Sequence, residues 1–335
     1  MKRRAVLAVV GVCAAIVLVW QASRFFLASD ASSTLSPASF HPPATAEPIS
    51  PIPRSLPLDA GKIALGKRLF HDPRLSRDNS VACASCHSLA KAGVDGTERS
   101  IGIGGQRTGR NSPTVFNAVF NFTQFWDGRA ATLEDQVDGP LHSPKEMASN
   151  WPAVMAKLAD DAEYRAAFDR IYGAMRPEHI KNAIAEFERS LITPGSRFDR
   201  YLEGDTKALT AQELKGYQLF KSYGCIACHQ GVNVGGNLYQ RLGIYGQVPL
   251  ATDAPDVGRM AITGKPEDLL VFKVPGLRNV ALTAPYFHDG SVSTLEQAVV
   301  LMGQYQLGVA IPPADVEPIV QFLRTLTGDL EAKAP

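Results

Sequence analysis

Cysteine is scarce in this 335-residue chain: there are five, and four of them sit in two short motifs. That leaves no pair for a structural disulfide. A charge of one sign is also missing. Thirty-four Lys and Arg against 33 Asp and Glu give a formal net charge of +1, so the sequence offers no basic surface for a nucleic-acid partner. The Gly-rich run at residues 102–105 lacks the Lys-Ser/Thr ending of a P-loop, which removes that kind of phosphate-binding chemistry. Alternating apolar–polar runs are few, so little β-sheet is expected.

The N-terminus carries a different signal. Lys2, Arg3 and Arg4 precede an apolar run over residues 5–20 that contains the fifth cysteine, Cys13. This is the pattern of a secretory signal, with an uncleaved membrane anchor as the alternative, over residues 1–28. Either one places the rest of the chain in the bacterial periplasm, soluble or tethered. Residues 29–57 are rich in Ser, Pro and Ala and read as a linker. The remaining stretch of about 280 residues has room for two domains.

The four remaining cysteines define the chemistry. Cys83-Ala84-Ser85-Cys86-His87 and Cys225-Ile226-Ala227-Cys228-His229 are both C-x-x-C-H, the attachment signature of a c-type haem. The thiols add across the haem vinyl groups, and the adjacent histidine reaches the iron. A structural zinc site would need a second ligand pair near each motif, and neither has one. A redox dithiol is the other alternative, but two copies in an exported chain favour two covalent haems.

The chain also repeats itself. Gly66-Lys67-Arg68-Leu69-Phe70 stands before the first motif and Gly216-Tyr217-Gln218-Leu219-Phe220 before the second. Pro113 and Asn117 recur as Pro275 and Asn279, Phe125-Trp126-Asp127-Gly128 as Phe287-His288-Asp289-Gly290, and Thr132-Leu133-Glu134 as Thr294-Leu295-Glu296, all at an offset of 162 residues. Helical spacing of apolar residues marks residues 58–70, 134–137, 152–172, 177–192, 210–220 and 295–302; Thr210 with Glu213 forms a capping box at the start of one of them. The expected fold is therefore mostly α: two cytochrome-c-like helical domains, each with one covalent haem c, over residues 58–198 and 199–330.

The two copies differ at the sixth coordination position of the iron, which electron-transfer haems fill and catalytic haems leave open. Met302 follows the second Thr-Leu-Glu segment at a place suited to a thioether ligand. The same offset in the first copy lands on Pro140, which cannot bind iron. On the open side, Glu146 is a candidate to move a proton between the oxygens of a bound peroxide, and the amide of Gln136 is a candidate to hold a bound water.

These blocks, together with Asn111-Ser112-Pro113-Thr114, Gln124 through Ala130, the run from Leu277 to His288 and Met302-Gly303, resemble the bacterial di-haem cytochrome c peroxidases and the related MauG-type enzymes. The resemblance implies that His87 is the proximal ligand of a peroxidatic haem and that His229 and Met302 hold a high-potential haem. It implies that Gln136 and Glu146 form the distal pair, that Trp126 lies between the haems, and that His288 lies near their edges as a propionate partner. Asn111, Thr283 and Pro285 match ligands of a calcium ion, the last two through backbone carbonyls. Homodimers are common in the family. In many of its members a histidine follows the Ser-Ile-Gly stretch and caps the resting peroxidatic iron; here that position is Ile103. An open resting iron is the simplest consequence, with His142 as the candidate substitute cap and Met147 a further one; His71 reads as a surface or capping residue. The expected activity is reduction of hydrogen peroxide to water with electrons from a small periplasmic cytochrome c or cupredoxin. The alternative is a MauG-like oxidase of a partner protein, which a Tyr ligand at the second haem would favour; Tyr305 is three residues from Met302. A plain electron carrier would not need Gln136 and Glu146.

Overall fold

The computed structural model describes residues 47–249 and 256–330. The stretch read as a signal or anchor, Cys13 within it, and the first part of the stretch read as a linker lie outside the described residues. Residues 47–330 belong to one compact unit, which is mostly helical, as expected.

Its architecture follows from one packing motif used twice. Helix α1 (Ala60–Phe70) starts at Asp59, whose carboxylate accepts from Lys62 N, and buries Leu65, Leu69 and Phe70. Next in the chain come α2 (Leu133–His142), α3 (Trp151–Ala159), α4 (Ala162–Tyr172) and α5 (Pro177–Ser190). Helix α1 lies against α5. A Cβ at Gly66 would come 1.9 Å from the Ala183 carbonyl oxygen and 2.8 Å from the Phe187 Cβ, so only glycine allows the two helices to approach this closely. The second half repeats the contact with α6 (Ala211–Ser222), α7 (Leu295–Leu301) and α8 (Pro313–Arg324). A Cβ at Gly216 would come 1.9 Å from the Pro318 carbonyl oxygen and 3.0 Å from the Phe322 Cβ. Each pair builds a core. The first gathers Leu69, Phe70, Phe168, Ile184 and Phe187, and the second Phe198, Tyr217, Phe220, Val320 and Phe322. Burying one such side chain is worth about 1.5–3 kcal/mol.

Several expectations are refined. The helical pattern over residues 152–172 is two helices, because the Asp161 carboxylate accepts from Glu163 N and Tyr164 N and caps α4. Thr210 and Glu213 form the expected capping box. Helix α8 was not legible in the sequence: it carries Pro318 in its interior, a residue that normally argues against a helix. The end of the stretch read as linker is packed, with Ile49 and Ile52 at 2% and 1% exposure. Arg278 explains this, since it donates to the Ser50 carbonyl while paired at 2.7 Å with Asp199. Among the described residues, sheet is confined to a short antiparallel pair, β1 (Tyr239–Arg241) with β2 (Val271–Lys273).

The repeat is visible in the backbone. Asn117 and Asn279 both have φ of 62°, and Phe125 and Phe287 have φ of 68° and 66°, a left-handed conformation that is strained for phenylalanine. The two asparagines meet at one fully buried threonine. Asn117 Nδ2 donates to Thr193 Oγ1 at 2.8 Å, Asn279 Nδ2 donates to the same oxygen at 3.0 Å, and Thr193 N donates to Asn117 Oδ1 at 2.9 Å. Replacing Thr193 by Val strands both amides, and a buried group left unpaired costs about 1–3 kcal/mol. Thr193→Val is expected to lose stability in that range in denaturant unfolding, with both haems still attached.

Candidate functional site

Two clefts lie side by side, one behind each C-x-x-C-H motif. The motifs form short turns, Cys83–Cys86 and Cys225–Ala227, whose ends present His87 and His229. The first cleft has about 1910 Å³ of empty space and is lined by His87, Gln136, Pro140 and Glu146. The second has about 1750 Å³ and is lined by Cys225, Cys228, His229 and Met302.

All four motif cysteines are free and partly buried, as attachment sulfurs need to be. Burial holds both imidazoles neutral, the form that binds metal: His87 is pushed down, and His229 is pushed down to about 4. The His87 Nδ1 lies 3.3 Å from the Gly93 carbonyl oxygen, leaving Nε2 as the nitrogen available to iron. The His229 Nδ1 is buried and unpaired. The residues therefore fit covalent haem in both clefts. Among the described residues no His/Cys/Asp/Glu cluster forms a separate metal site.

The second cleft is apolar around Met302, which begins a widened helical turn (Met302–Leu307) at the end of α7. Val299, Ile311, Ile319 and Leu323 share its wall. The first cleft is more polar. Pro140, the position equivalent to Met302, contributes no donor, and around it stand Arg110, Gln124, Asp127, Arg129, Gln136 and Glu146.

Glu146 sits on a loop held from three sides. Ile103 N donates to the Glu146 carbonyl at 2.8 Å, Glu146 N donates to the Ser143 carbonyl at 3.1 Å, and Arg77 N donates to the Met147 carbonyl at 2.9 Å. A Cβ at Gly102 would come 2.1 Å from the Lys145 carbonyl oxygen, so the glycine lets the segment that carries Ile103 dock on this loop. Burial raises the pKa of Glu146, with a Ser143 hydrogen bond and the charge of Arg129 working against it. Raised, the group is closer to the value a neutral-pH acid–base residue needs. The Gln136 amide lines the cleft and has no hydrogen-bond partner among the described residues.

Ile103 is buried at 1% exposure and does not line the first cleft. The two candidate substitute caps are also directed away from it. His142 is exposed, with Nδ1 3.2 Å from the Ser149 carbonyl oxygen and Nε2 3.8 Å from Asp138. Met147 is packed in the first core. His71 caps α1, its Nδ1 2.8 Å from the Lys67 carbonyl oxygen.

Trp126 and His288, equivalent residues of the two copies, meet with ring centroids 6.3 Å apart, and both line both clefts. Trp126 Nε1 donates to the Asn111 carbonyl at 2.9 Å. Two backbone bonds are exchanged across this seam: Asn111 N to the His288 carbonyl at 2.8 Å, and Lys273 N to the Trp126 carbonyl at 2.7 Å. Arg110 clamps the seam, reaching Asp256 through Nε at 2.6 Å and Nη2 at 2.7 Å, and Asp127 through Nη1 at 2.6 Å. His288 stacks on Phe272 at 4.3 Å, and its Nε2 lies 3.6 Å from Asp256. Burial lowers the His288 pKa, while Asp256 and Asp289 oppose the shift. The candidate calcium residues Asn111, Thr283 and Pro285 all lie at the wall of the second cleft, and Asn111 Nδ2 donates to the Thr97 carbonyl at 2.9 Å. The Arg110–Asp256 pair was not legible, because its partners are far apart in sequence. Glu188 and Lys273, both buried and lining a cleft, gave no signal beyond being single charged residues.

Known proteins resemble this chain. A family model described as di-haem cytochrome c peroxidase matches residues 60–207. The cytochrome c peroxidase Ccp of Escherichia coli is 53% identical over 84% of this chain, and the match spans 61% of that longer protein. The cytochrome c551 peroxidase of Nitrosomonas europaea is 48% identical over 84% of this chain and 85% of its own length. A solved structure of a MauG-like protein associated with microbial copper homeostasis superposes with a TM-score of 0.72 at 31% identity, covering 84% of this chain and 94% of its own. The chain belongs to the di-haem cytochrome c peroxidase family.

If Met302 ligates the second iron, Met302→Ala should abolish the near-infrared charge-transfer band of a ferric His–Met haem and lower that haem's potential. An unchanged spectrum would assign the sixth position to another group.

Proposed function

We propose that the protein reduces hydrogen peroxide to water in the first cleft, with electrons that enter at the second cleft from a small periplasmic cytochrome c or cupredoxin. The observation that carries this reading is the inequality of two clefts built on one plan: Met302 stands in the second where Pro140 stands in the first. A thioether in an apolar wall suits a high-potential entry haem. A proline among polar residues leaves a place for peroxide.

When bound, the first haem supplies the redox chemistry at oxygen. The protein's share is proton handling and positioning. Glu146 would take a proton from one peroxide oxygen and return it to the other, which leaves as water; its raised pKa suits both directions. Gln136, which lines the same cleft, would orient peroxide through its amide. Arg129, held at 3.0 Å by Asp127, stabilises the carboxylate form of Glu146. Trp126 and His288 bridge the clefts, where a short aromatic path suits electron transfer. Asn111, Thr283 and Pro285 would hold a calcium ion beside that path, and the chain would act in the periplasm. Among the described residues no helix is long and apolar enough to cross a membrane. The MauG-like alternative gains nothing from Tyr305, which does not line the second cleft.

With Ile103, His142 and Met147 all away from the first cleft, fully oxidised protein is expected to react with peroxide in stopped-flow mixing without prior reduction. Wild-type protein that ignores peroxide until half-reduced would show that another group caps the iron. Glu146→Gln, which keeps the shape but loses the proton, should lower turnover by about 10²–10⁴-fold. A variant within twofold of the parent would remove Glu146 from the mechanism.

A further inference from the structure

The first cleft contains a carboxyl group that the scheme above does not use. Glu188, near the end of α5, is 5% exposed and lines the cleft with His87, Gln136 and Glu146. Its Oε2 is buried without a partner, and among the described residues no group donates to its other oxygen. The nearest cation is already engaged: Arg189 Nη2 donates to both oxygens of Glu134, at 2.8 and 2.7 Å.

The internal repeat shows what the fold alone requires at this position. Gly66 faces Ala183 and Phe187, and Gly216 faces Pro318 and Phe322, so α5 and α8 correspond residue for residue. Glu188 is then the counterpart of Leu323, which lines the second cleft beside His229 and Met302. The helix pair packs well with leucine there. A buried carboxyl without a partner costs free energy that leucine does not, so the packing gives no reason for the acid. Only the cleft that would receive peroxide has it.

We infer that Glu188 is a proton-holding residue of the first cleft, a neutral carboxylic acid that supplies one of the two protons consumed when peroxide is reduced. This rests on the peroxidase reading. Reduction of H2O2 to two waters takes up two electrons, from the reduced one-electron carrier, and two protons. Glu146 only moves peroxide's own proton from one oxygen to the other, so the added protons must come from elsewhere. Glu188 hands over its proton, becomes a carboxylate and is reprotonated from solvent before the next turnover. Burial pushes its pKa up to about 8; Arg189 on its own helix opposes the shift, and Glu134 on α2 adds to it. Cys83 is the remaining titratable neighbour, and haem attachment removes its proton.

The test uses holoenzyme carrying Glu188→Gln or Glu188→Leu, the second being the residue of the other copy. Infrared spectra at neutral pH should show a protonated carboxylic C=O band that shifts in D2O and is lost in both variants. Glu188→Leu should unfold at or above the parent temperature, which guards against a mere folding defect. Peroxide turnover should fall about tenfold or more in both variants with KM for peroxide unchanged. The parent rate should decline as pH rises through about 8, where the acid loses its proton, and both variants should lack that limb. A missing band, or variant turnover within twofold of the parent at every pH, overturns the inference. A parent that reduces no peroxide, with the band present, overturns the peroxidase reading and with it the proposed destination of the proton.

Discussion

Two backbone hydrogen bonds exchanged between the repeats hold the working parts of the molecule in register: Asn111 N to the His288 carbonyl, and Lys273 N to the Trp126 carbonyl. Each donor and each acceptor is the other's counterpart at the offset of 162 residues. The exchange therefore defines a local two-fold relation. Thr193 supports it from within the core, because Asn117 and Asn279, each nine residues before Trp126 and His288, bond to the same hydroxyl. With the asparagines fixed, the two aromatic rings have little choice but to meet, and the walls they share belong to both clefts.

On this symmetric frame the chemistry depends on the positions that break the symmetry. Met302 against Pro140 sets which cleft has a thioether to offer iron. Leu323 against Glu188 makes one wall apolar and the other acidic. Trp126 against His288 places an indole and an imidazole on the shared axis. Lys273 against Asn111 puts a buried cation, its pKa lowered to about 8 by desolvation alone, opposite a neutral amide. None of these exchanges disturbs the helix pairs, since Gly66 and Gly216 make equivalent contacts in both halves. Duplication supplied two equal scaffolds, and a handful of side chains made them unequal.

Much of this was legible in the sequence, for a physical reason. Covalent attachment of haem requires two thiols and a histidine in one contiguous pentapeptide, and a repeat leaves a constant offset whether or not the fold is known. The asymmetry at Met302 and Pro140 needed only those two facts. Features that depend on distant partners were hidden. Glu188 reads as one more helical glutamate until the packing shows that nothing pairs with it. Arg110 and Asp256 are far apart in the chain. Helix α8 was masked by Pro318, whose ring replaces a helical N–H that a local pattern expects. The break between α3 and α4 was missed because Asp161 fits either a helix interior or a cap, and its hydrogen bonds to Glu163 N and Tyr164 N decide which.

The inequality of the two clefts is reported directly by the spin states of the resting ferric holoprotein. Electron paramagnetic resonance at neutral pH is expected to show one high-spin haem, from the cleft lined by Pro140, Gln136 and Glu146, and one low-spin haem held by His229 and Met302. Two low-spin haems would mean that a protein group fills the sixth position in both clefts, and would contradict it.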